Sequence, residues 1–167
     1  SQPQVMGILN ITPDSFSDGG ELFDGNRPVL EHIVDRAAAM LEAGASILDI
    51  GGESTRPGAE TVTEQQELER VIPVLAALRS RFDAVLSVDT GNAQVIHEAT
   101  TAGAGLINDV RALRQPGALA AAASSGLPVC LMHMQGIPGT MQQAPVYVDV
   151  VAEVTGFLQA RMQTCMG

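Results

Sequence analysis

The sequence predicts an α/β fold in which five short apolar strands alternate with five helices. Each apolar run has the length of a strand and ends abruptly at polar residues. Each run is followed by a segment with the three- and four-residue apolar spacing of an amphipathic helix. Near-continuous apolar strands separated by helices favour a parallel sheet that helices cover on its outer face.

The elements follow one another along the whole chain. The predicted strands are residues 5–9, 46–50, 84–88, 105–108 and 128–132, and the predicted helices are residues 28–43, 64–82, 93–101, 116–125 and about 146–166. Thr63 is the predicted N-cap of the second helix, whereas Gly44 and Gly126 end the first and fourth helices. Pro73 lies inside the second helix and should kink or split it.

The number of units leaves two architectures open. A complete (β/α)₈ barrel takes about 250 residues, commonly 200 or more. Five units in 167 residues therefore form either an open five-stranded sheet or an incomplete barrel, in a single domain.

Composition excludes several classes of partner. Nine Lys and Arg against nineteen Asp and Glu give a net charge of −10, which argues against nucleic acid and anionic membranes. With no Trp and few aromatic residues, the chain has no stacking platform for bases. We see no signal peptide and no 18-residue apolar run, so we expect a cytoplasmic protein. Cys130 lies in an apolar run and is expected to be a buried thiol.

Polar side chains stand where the predicted strands end. They are Asn10, Asp49, Asp89, Asn108 with Asp109, and His133. Strand ends from different units meet at one face of a barrel, so these groups would share a pocket. The amide oxygen of Asn10 suits Mg²⁺, and Asp or Asn can accept hydrogen bonds from a ring. The alternatives are an Asx turn for Asn10, helix capping for the aspartates and simple packing for His133.

Two loops are suited to bind phosphate. Residues 12–20 and 51–59 are rich in Gly, Ser and Thr, which offer backbone N–H groups and hydroxyls. Arg56 is the only cation in the second loop and can pair bidentately with an anion. Its alternative fate is that of a solvated surface charge.

The same segments resemble a known family. Residues 6–20 (MGILNITPDSFSDGG) and 49–58 (DIGGESTRPG) resemble the two signature motifs of the dihydropteroate synthases, and residues 87–90, 107–110 and 131–136 match the strand ends that follow. The resemblance implies that residues 1–167 are the N-terminal part of a single pterin-binding TIM (β/α)₈ barrel. It also implies synthesis of 7,8-dihydropteroate and pyrophosphate from p-aminobenzoate and 6-hydroxymethyl-7,8-dihydropterin pyrophosphate, a step of folate biosynthesis that sulfonamides inhibit.

The resemblance assigns roles on the pterin side. It implies that Asn10 binds the Mg²⁺ that holds the diphosphate. Thr55 and Arg56 would contact the diphosphate and the pterin. Asp89 and Asn108 would bind the pterin ring.

Further roles concern the rest of the pocket. By resemblance, Met132 lines the pterin pocket, and Phe16 and Pro57 belong to the loops that form the p-aminobenzoate pocket. Asp14 would stabilise cationic character at the pterin methylene while the diphosphate departs.

The later strands of this family supply another Asp, a Lys, an Arg and a His that residues 1–167 do not contain. We therefore expect this chain alone to be inactive and the complete protein to be a homodimer that acts on small-molecule substrates. The alternative is a pterin- or folate-binding methyl-carrier module, which has no need of the Phe16 and Pro57 loops.

Overall fold

A computed structural model describes residues 3–11, 27–54 and 62–167. The strands are β1 (Met6–Asn10), β2 (Ile47–Gly51), β3 (Val85–Asp89), β4 (Leu106–Asp109) and β5 (Val129–Leu131). The helices are α1 (Arg27–Glu42), α2 (Glu64–Arg81), α3 (Ala93–Thr101), α4 (Ala118–Ser125) and α5 (Val150–Met166). The predicted alternation of strands and helices is confirmed, with bounds displaced by a few residues.

All five strands are parallel and pair in chain order, β1-β2-β3-β4-β5. Because parallel crossovers are right-handed, this order places the connecting helices on one face of the sheet. A β/α barrel has the same sequential strand order with its helices on the outer face, so the sheet is an incomplete barrel of five strands. Within the described part of the chain, β1 and β5 are edge strands with a partner on one side only.

The two faces of the sheet differ sharply in burial. One register row contains Leu9, Ile50, Val88 and Ile107, and all four pack in the hydrophobic core beneath the helices. Side chains of the neighbouring rows point to the opposite face. On that face Ile8 is 55% exposed and Val85 is 46% exposed. We call it the inner face, since it corresponds to the interior of a barrel.

The prediction that Cys130 is a buried thiol is wrong, because this residue is exposed. Cys130 pairs in register with Asn108 and therefore belongs to an inner-face row of the edge strand β5. Its apolar neighbours Val129 and Leu131 are the residues of β5 that pack against the core.

The sequence predicted that Pro73 would kink or split helix α2, and the split does not occur, because the helix continues through Pro73 to Arg81. The helix begins with a capping box, in which Thr63 accepts from the Gln66 N–H and the Gln66 side chain accepts from the Thr63 N–H. Buried apolar residues on both sides of the proline, including Val71 and Leu75, hold the helix against the sheet. This packing outweighs the hydrogen bond that proline removes.

Helix α5 begins four residues later than predicted. The Gln135 side chain clamps Val146 by donating to its carbonyl (2.7 Å) and accepting from its N–H (3.0 Å). Asp149 then caps the helix by accepting from the Ala152 N–H. None of the helices that the structure describes is long and apolar enough to cross a membrane.

Candidate active site

The inner-face row at the carboxyl end of the strands carries the predicted polar residues. Its members, in register, are Asn10, Gly51, Asp89, Asn108 and Cys130. Gly51 leaves a gap between its neighbours: a Cβ atom built there would lie 3.5 Å from Asp89 Oδ2 and 3.8 Å from Asn10 Oδ1. Among the described residues, two hard oxygens thus face the space that the missing side chain of Gly51 leaves. The carboxyl end of a parallel sheet is where α/β folds bind their ligands.

Asp89 does not cap the helix that follows it. The N-cap of α3 is Asn92, whose side chain accepts from the Gln94 N–H at 3.0 Å. Burial, together with the nearby carboxylates of Asp49 and Asp109, raises the pKa of the Asp89 carboxyl to about 7. A strand-end carboxyl with this electrostatic environment is typical of a functional site.

A hydrogen bond below this row joins β2 to β4. Asn108 Nδ2 donates to Asp49 Oδ2 at 3.0 Å, and Asp49 is only 4% exposed. Asp49 Oδ1 and the hydroxyl of Ser87, its register partner on β3, are buried and have no hydrogen-bond partner among the described residues. Buried polar atoms of proteins are nearly always hydrogen-bonded, so we expect a ligand or a water molecule to bind these two atoms.

The segments that follow β2 and β4 are tied together. Arg111 forms a bidentate ion pair with Glu53, with N–O distances of 2.9 Å and 3.0 Å. Both side chains are largely buried, and such fork-to-carboxylate pairs fix geometry as well as adding energy. Arg70 of α2 donates to the Gly52 carbonyl at 2.9 Å. These contacts hold the backbone at the entrance of the second glycine-rich loop.

Asp109 organises the turn after β4. It is fully buried and accepts from the N–H groups of Arg111 (2.8 Å) and Leu113 (2.7 Å). Ala112 and Leu113 have φ values of 54° and 55°, a conformation that residues other than glycine rarely adopt. Arg161 of α5 donates to the carbonyls of both strained residues. The turn that presents Arg111 is therefore held from two sides.

A cavity of about 300 Å³ lies between the N-terminal ends of α2 and α3 and the turn after β4. Its lining includes Glu53, Glu67, Asn92 and Arg111. Burial raises the pKa of the Glu67 carboxyl to about 7, although a hydrogen bond with Thr90 opposes this shift. Glu67 thus exchanges a proton near neutral pH.

We expect Glu67→Gln to stabilise the protein in a pH-dependent way. The folded state keeps the Glu67 proton up to about pH 7, whereas the unfolded chain loses it near its ordinary pKa of 4.5. The stability that Glu67 contributes is therefore present at low pH and is lost as the pH rises through about 7. At pH 8 the substitution should raise the free energy of unfolding by about 1–3 kcal/mol, and at pH 4 by almost nothing.

Urea unfolding at the two pH values measures this difference. The material is the polypeptide encoded by the whole reading frame that contains residues 1–167, called the complete polypeptide below. Glu69→Gln, on the exposed side of α2, is the matched control and should show no such pH dependence. Equal effects of Glu67→Gln at both pH values would contradict the shifted pKa.

The structure also locates the remaining candidates. Met132 is half-buried and lies one residue past β5, at the carboxyl end of the sheet. His133 packs against Phe157 (ring centroids 5.0 Å apart) and Tyr147 (5.9 Å), which agrees with the packing alternative. The predicted site residues outside the described part of the chain are Asp14, Phe16, Thr55, Arg56 and Pro57.

Three residues that received no role from the sequence are prominent in the structure: Glu53, Glu67 and Arg111. The sequence named Asp49 only as one of the strand-end groups, and its pairing with Asn108 was not predicted. The sequence contained a signal for the pairing of Asp49, because a carboxylate inside an apolar strand needs a hydrogen-bond partner. Glu53 and Arg111 are 58 residues apart in the chain. Their ion pair could not be predicted from the sequence, because it depends on the segments after β2 and β4 lying close together in the fold.

Comparison with known proteins agrees with this fold. The family model described as pterin binding enzyme matches residues 6–166, and the chain belongs to this family. The dihydropteroate synthases of Haemophilus influenzae and Escherichia coli K12 are 54% and 55% identical to it, and both alignments cover 99% of this chain. The chain spans 58% and 57% of the length of these relatives.

Solved structures of dihydropteroate synthases share the fold. The Yersinia pestis enzyme, crystallised as a sulfonamide drug complex, superposes with a TM-score of 0.88 at 58% identity, covering 98% of this chain and 58% of that chain. The Xanthomonas albilineans enzyme with 4-aminobenzoic acid gives a TM-score of 0.87 at 52% identity, covering 99% and 56%.

Proposed function

We propose that residues 1–167 are the N-terminal part of a dihydropteroate synthase barrel. The observation that carries this proposal is the inner-face row that brings Asn10, Asp89 and Asn108 to the carboxyl end of the sheet, with Asn10 and Asp89 facing the gap above Gly51. Membership of the pterin-binding family and 54–55% identity to two dihydropteroate synthases support it. The substrates are 6-hydroxymethyl-7,8-dihydropterin pyrophosphate and p-aminobenzoate, and the products are 7,8-dihydropteroate and pyrophosphate.

The reaction needs no nucleophile from the protein. The amine of p-aminobenzoate attacks the pterin methylene, a C–N bond forms, the C–O bond to the diphosphate breaks, and the amine loses a proton. The protein has to orient the ring and neutralise the departing charge. In this proposal Asp89 and Asn108 bind the ring, Met132 lines its pocket, and Thr55 and Arg56 contact the diphosphate.

The other substrate needs its own contacts. We assign Phe16 and Pro57 to the p-aminobenzoate pocket, where sulfonamides compete. Asp14 stabilises positive charge at the methylene as the C–O bond breaks. The family resemblance supports these assignments.

We further propose that Asn10 binds Mg²⁺. Its Oδ1 faces the gap above Gly51, and Asp89 Oδ2 faces the same space, so hard oxygen donors are available. No group of three or more His, Cys, Asp or Glu residues that suits a metal occurs in the described part of the chain. Mg²⁺ is commonly bound through one or two protein oxygens and completes its shell with water and substrate phosphate. When bound, it would neutralise the leaving diphosphate.

We expect Asn10→Ala to remove the Mg²⁺-dependent part of the affinity for the pterin pyrophosphate. Changes near metal sites commonly cost about 10–100-fold in affinity, so the gain from Mg²⁺ should fall at least about tenfold. Calorimetric titration of the complete polypeptide with and without Mg²⁺ measures this gain. Affinity for the pterin alcohol, which lacks the diphosphate, should stay unchanged. An undiminished gain from Mg²⁺ in Asn10→Ala would remove this residue from the metal site.

The length of the relatives and the exposed sheet bear on whether residues 1–167 can be active alone. The relatives are longer than this chain, and the sheet has two edge strands and an exposed inner face. We therefore propose that activity requires further barrel units and that residues 1–167 alone are inactive. We also propose a homodimer that works in the cytoplasm.

Sequential titration tests the function. The complete polypeptide should bind the pterin pyrophosphate first and p-aminobenzoate afterwards. Binding of the pterin without p-aminobenzoate would instead favour a methyl-carrier module. Binding of neither would refute both candidate functions.

A further inference from the structure

Asp49 holds the amide of Asn108 across the width of β3. Asp49 lies on β2 and Asn108 on β4, and the hydrogen bond from Nδ2 to Oδ2 is 3.0 Å long. Asp49 is 4% exposed, and its other oxygen has no partner among the described residues. The described structure therefore places a buried carboxylate directly behind a side chain of the candidate site.

The chemistry of the two groups fixes which way the amide turns. Asp49 Oδ2 accepts the hydrogen bond from Nδ2, and an Asn side chain has one donor end and one acceptor end. Asn108 must therefore direct its NH₂ group toward Asp49. Its carbonyl oxygen Oδ1 remains to face a ligand as an acceptor.

We propose that Asp49 is a positioning residue that makes the ring pocket selective for hydrogen-bond donors. This inference rests on the proposed function, because it concerns the same pterin site. A pterin carries N–H donors at its 2-amino group and at N3. Lumazine is the same bicycle with an oxo group in place of the 2-amino group, so it would set an acceptor against Asn108 Oδ1.

The preference for pterin over lumazine provides the readout. A lost or repelled hydrogen bond in a buried site changes affinity by about 5- to 150-fold. The complete polypeptide should prefer pterin at least about tenfold. In Asp49→Asn the partner of Asn108 can itself donate, so the Asn108 amide is free to turn and the preference should fall at least about threefold.

A double variant tests the mechanism. In Asp49→Asn/Asn108→Asp the carboxylate and the amide exchange places. A carboxylate at position 108 presents an acceptor in every rotation, and the amide introduced at position 49 can donate to it. The preference for pterin should therefore return. Asp35→Asn, on an exposed position of α1, is the control and should leave the preference unchanged.

Dissociation constants for both ligands, with a melting curve for each variant, decide between the outcomes. An unchanged preference in a folded Asp49→Asn variant would overturn the positioning role and leave the proposed function standing. If the parent protein bound neither pterin nor lumazine, the proposed function would fail and this inference with it. If Asp49→Asn alone does not fold, recovery of both folding and preference in the double variant supports the role, and recovery of neither overturns it.

Discussion

Asp109→Ala should lower the free energy of unfolding by about 2–5 kcal/mol. The substitution leaves the N–H groups of Arg111 and Leu113 without their acceptor in a buried turn, and each such group costs about 1–3 kcal/mol. It also removes the contacts that hold Ala112 and Leu113 at positive φ, where each residue is strained.

Urea unfolding of the complete polypeptide measures this loss. Asp109→Asn keeps one acceptor oxygen and should fall between the parent and Asp109→Ala. Asp83→Ala, at an exposed position between α2 and β3, should change the free energy of unfolding by less than about 0.5 kcal/mol. A loss below about 1 kcal/mol in Asp109→Ala would show that Arg161 alone can hold the turn.

Asp89→Ala should weaken binding of 6-hydroxymethyl-7,8-dihydropterin at least about fivefold. In the proposed function Asp89 accepts a hydrogen bond from the buried ring, and loss of this acceptor costs about 1–3 kcal/mol. The pterin affinity of the parent protein should also depend on pH, because burial and the neighbouring carboxylates raise the pKa of Asp89 to about 7. Ring donors bind the ionised form, so the parent's affinity should rise from about pH 6 to about pH 8 and then level off.

Calorimetric titration at three pH values tests this prediction, and the ligand without diphosphate avoids titration of phosphate groups. Asp89→Asn has the same shape but no charge, so its affinity should vary little with pH. Unaltered pterin affinity in Asp89→Ala, or a pH profile shared by parent and Asp89→Asn, would remove Asp89 from the ring site.

The row of polar strand ends could be predicted from the sequence because it depends on local pattern. Asn10, Asp89 and Asn108 each end a short apolar run, and parallel topology brings such ends together. The pairing of Asp49 with Asn108 could not be predicted, since it spans 59 residues and depends on which side chains face inward.

The errors have physical causes as well. Cys130 has apolar neighbours on both sides, and this pattern does not distinguish the two faces of an edge strand. The predicted split of α2 at Pro73 does not occur, because the packing of this helix against the sheet is not included in a helix propensity. The start of α5 depends on a contact between Gln135 and Val146, eleven residues apart.

We propose that this chain belongs to an enzyme that joins a pterin to p-aminobenzoate. The most direct measurement is pyrophosphate release by the complete polypeptide with Mg²⁺, supplied with each substrate alone and then with both. We predict release only when the pterin pyrophosphate and p-aminobenzoate are present together, inhibition by a sulfonamide, and no release by residues 1–167 alone. Saturable pterin binding without any p-aminobenzoate-dependent release of pyrophosphate would contradict the claim.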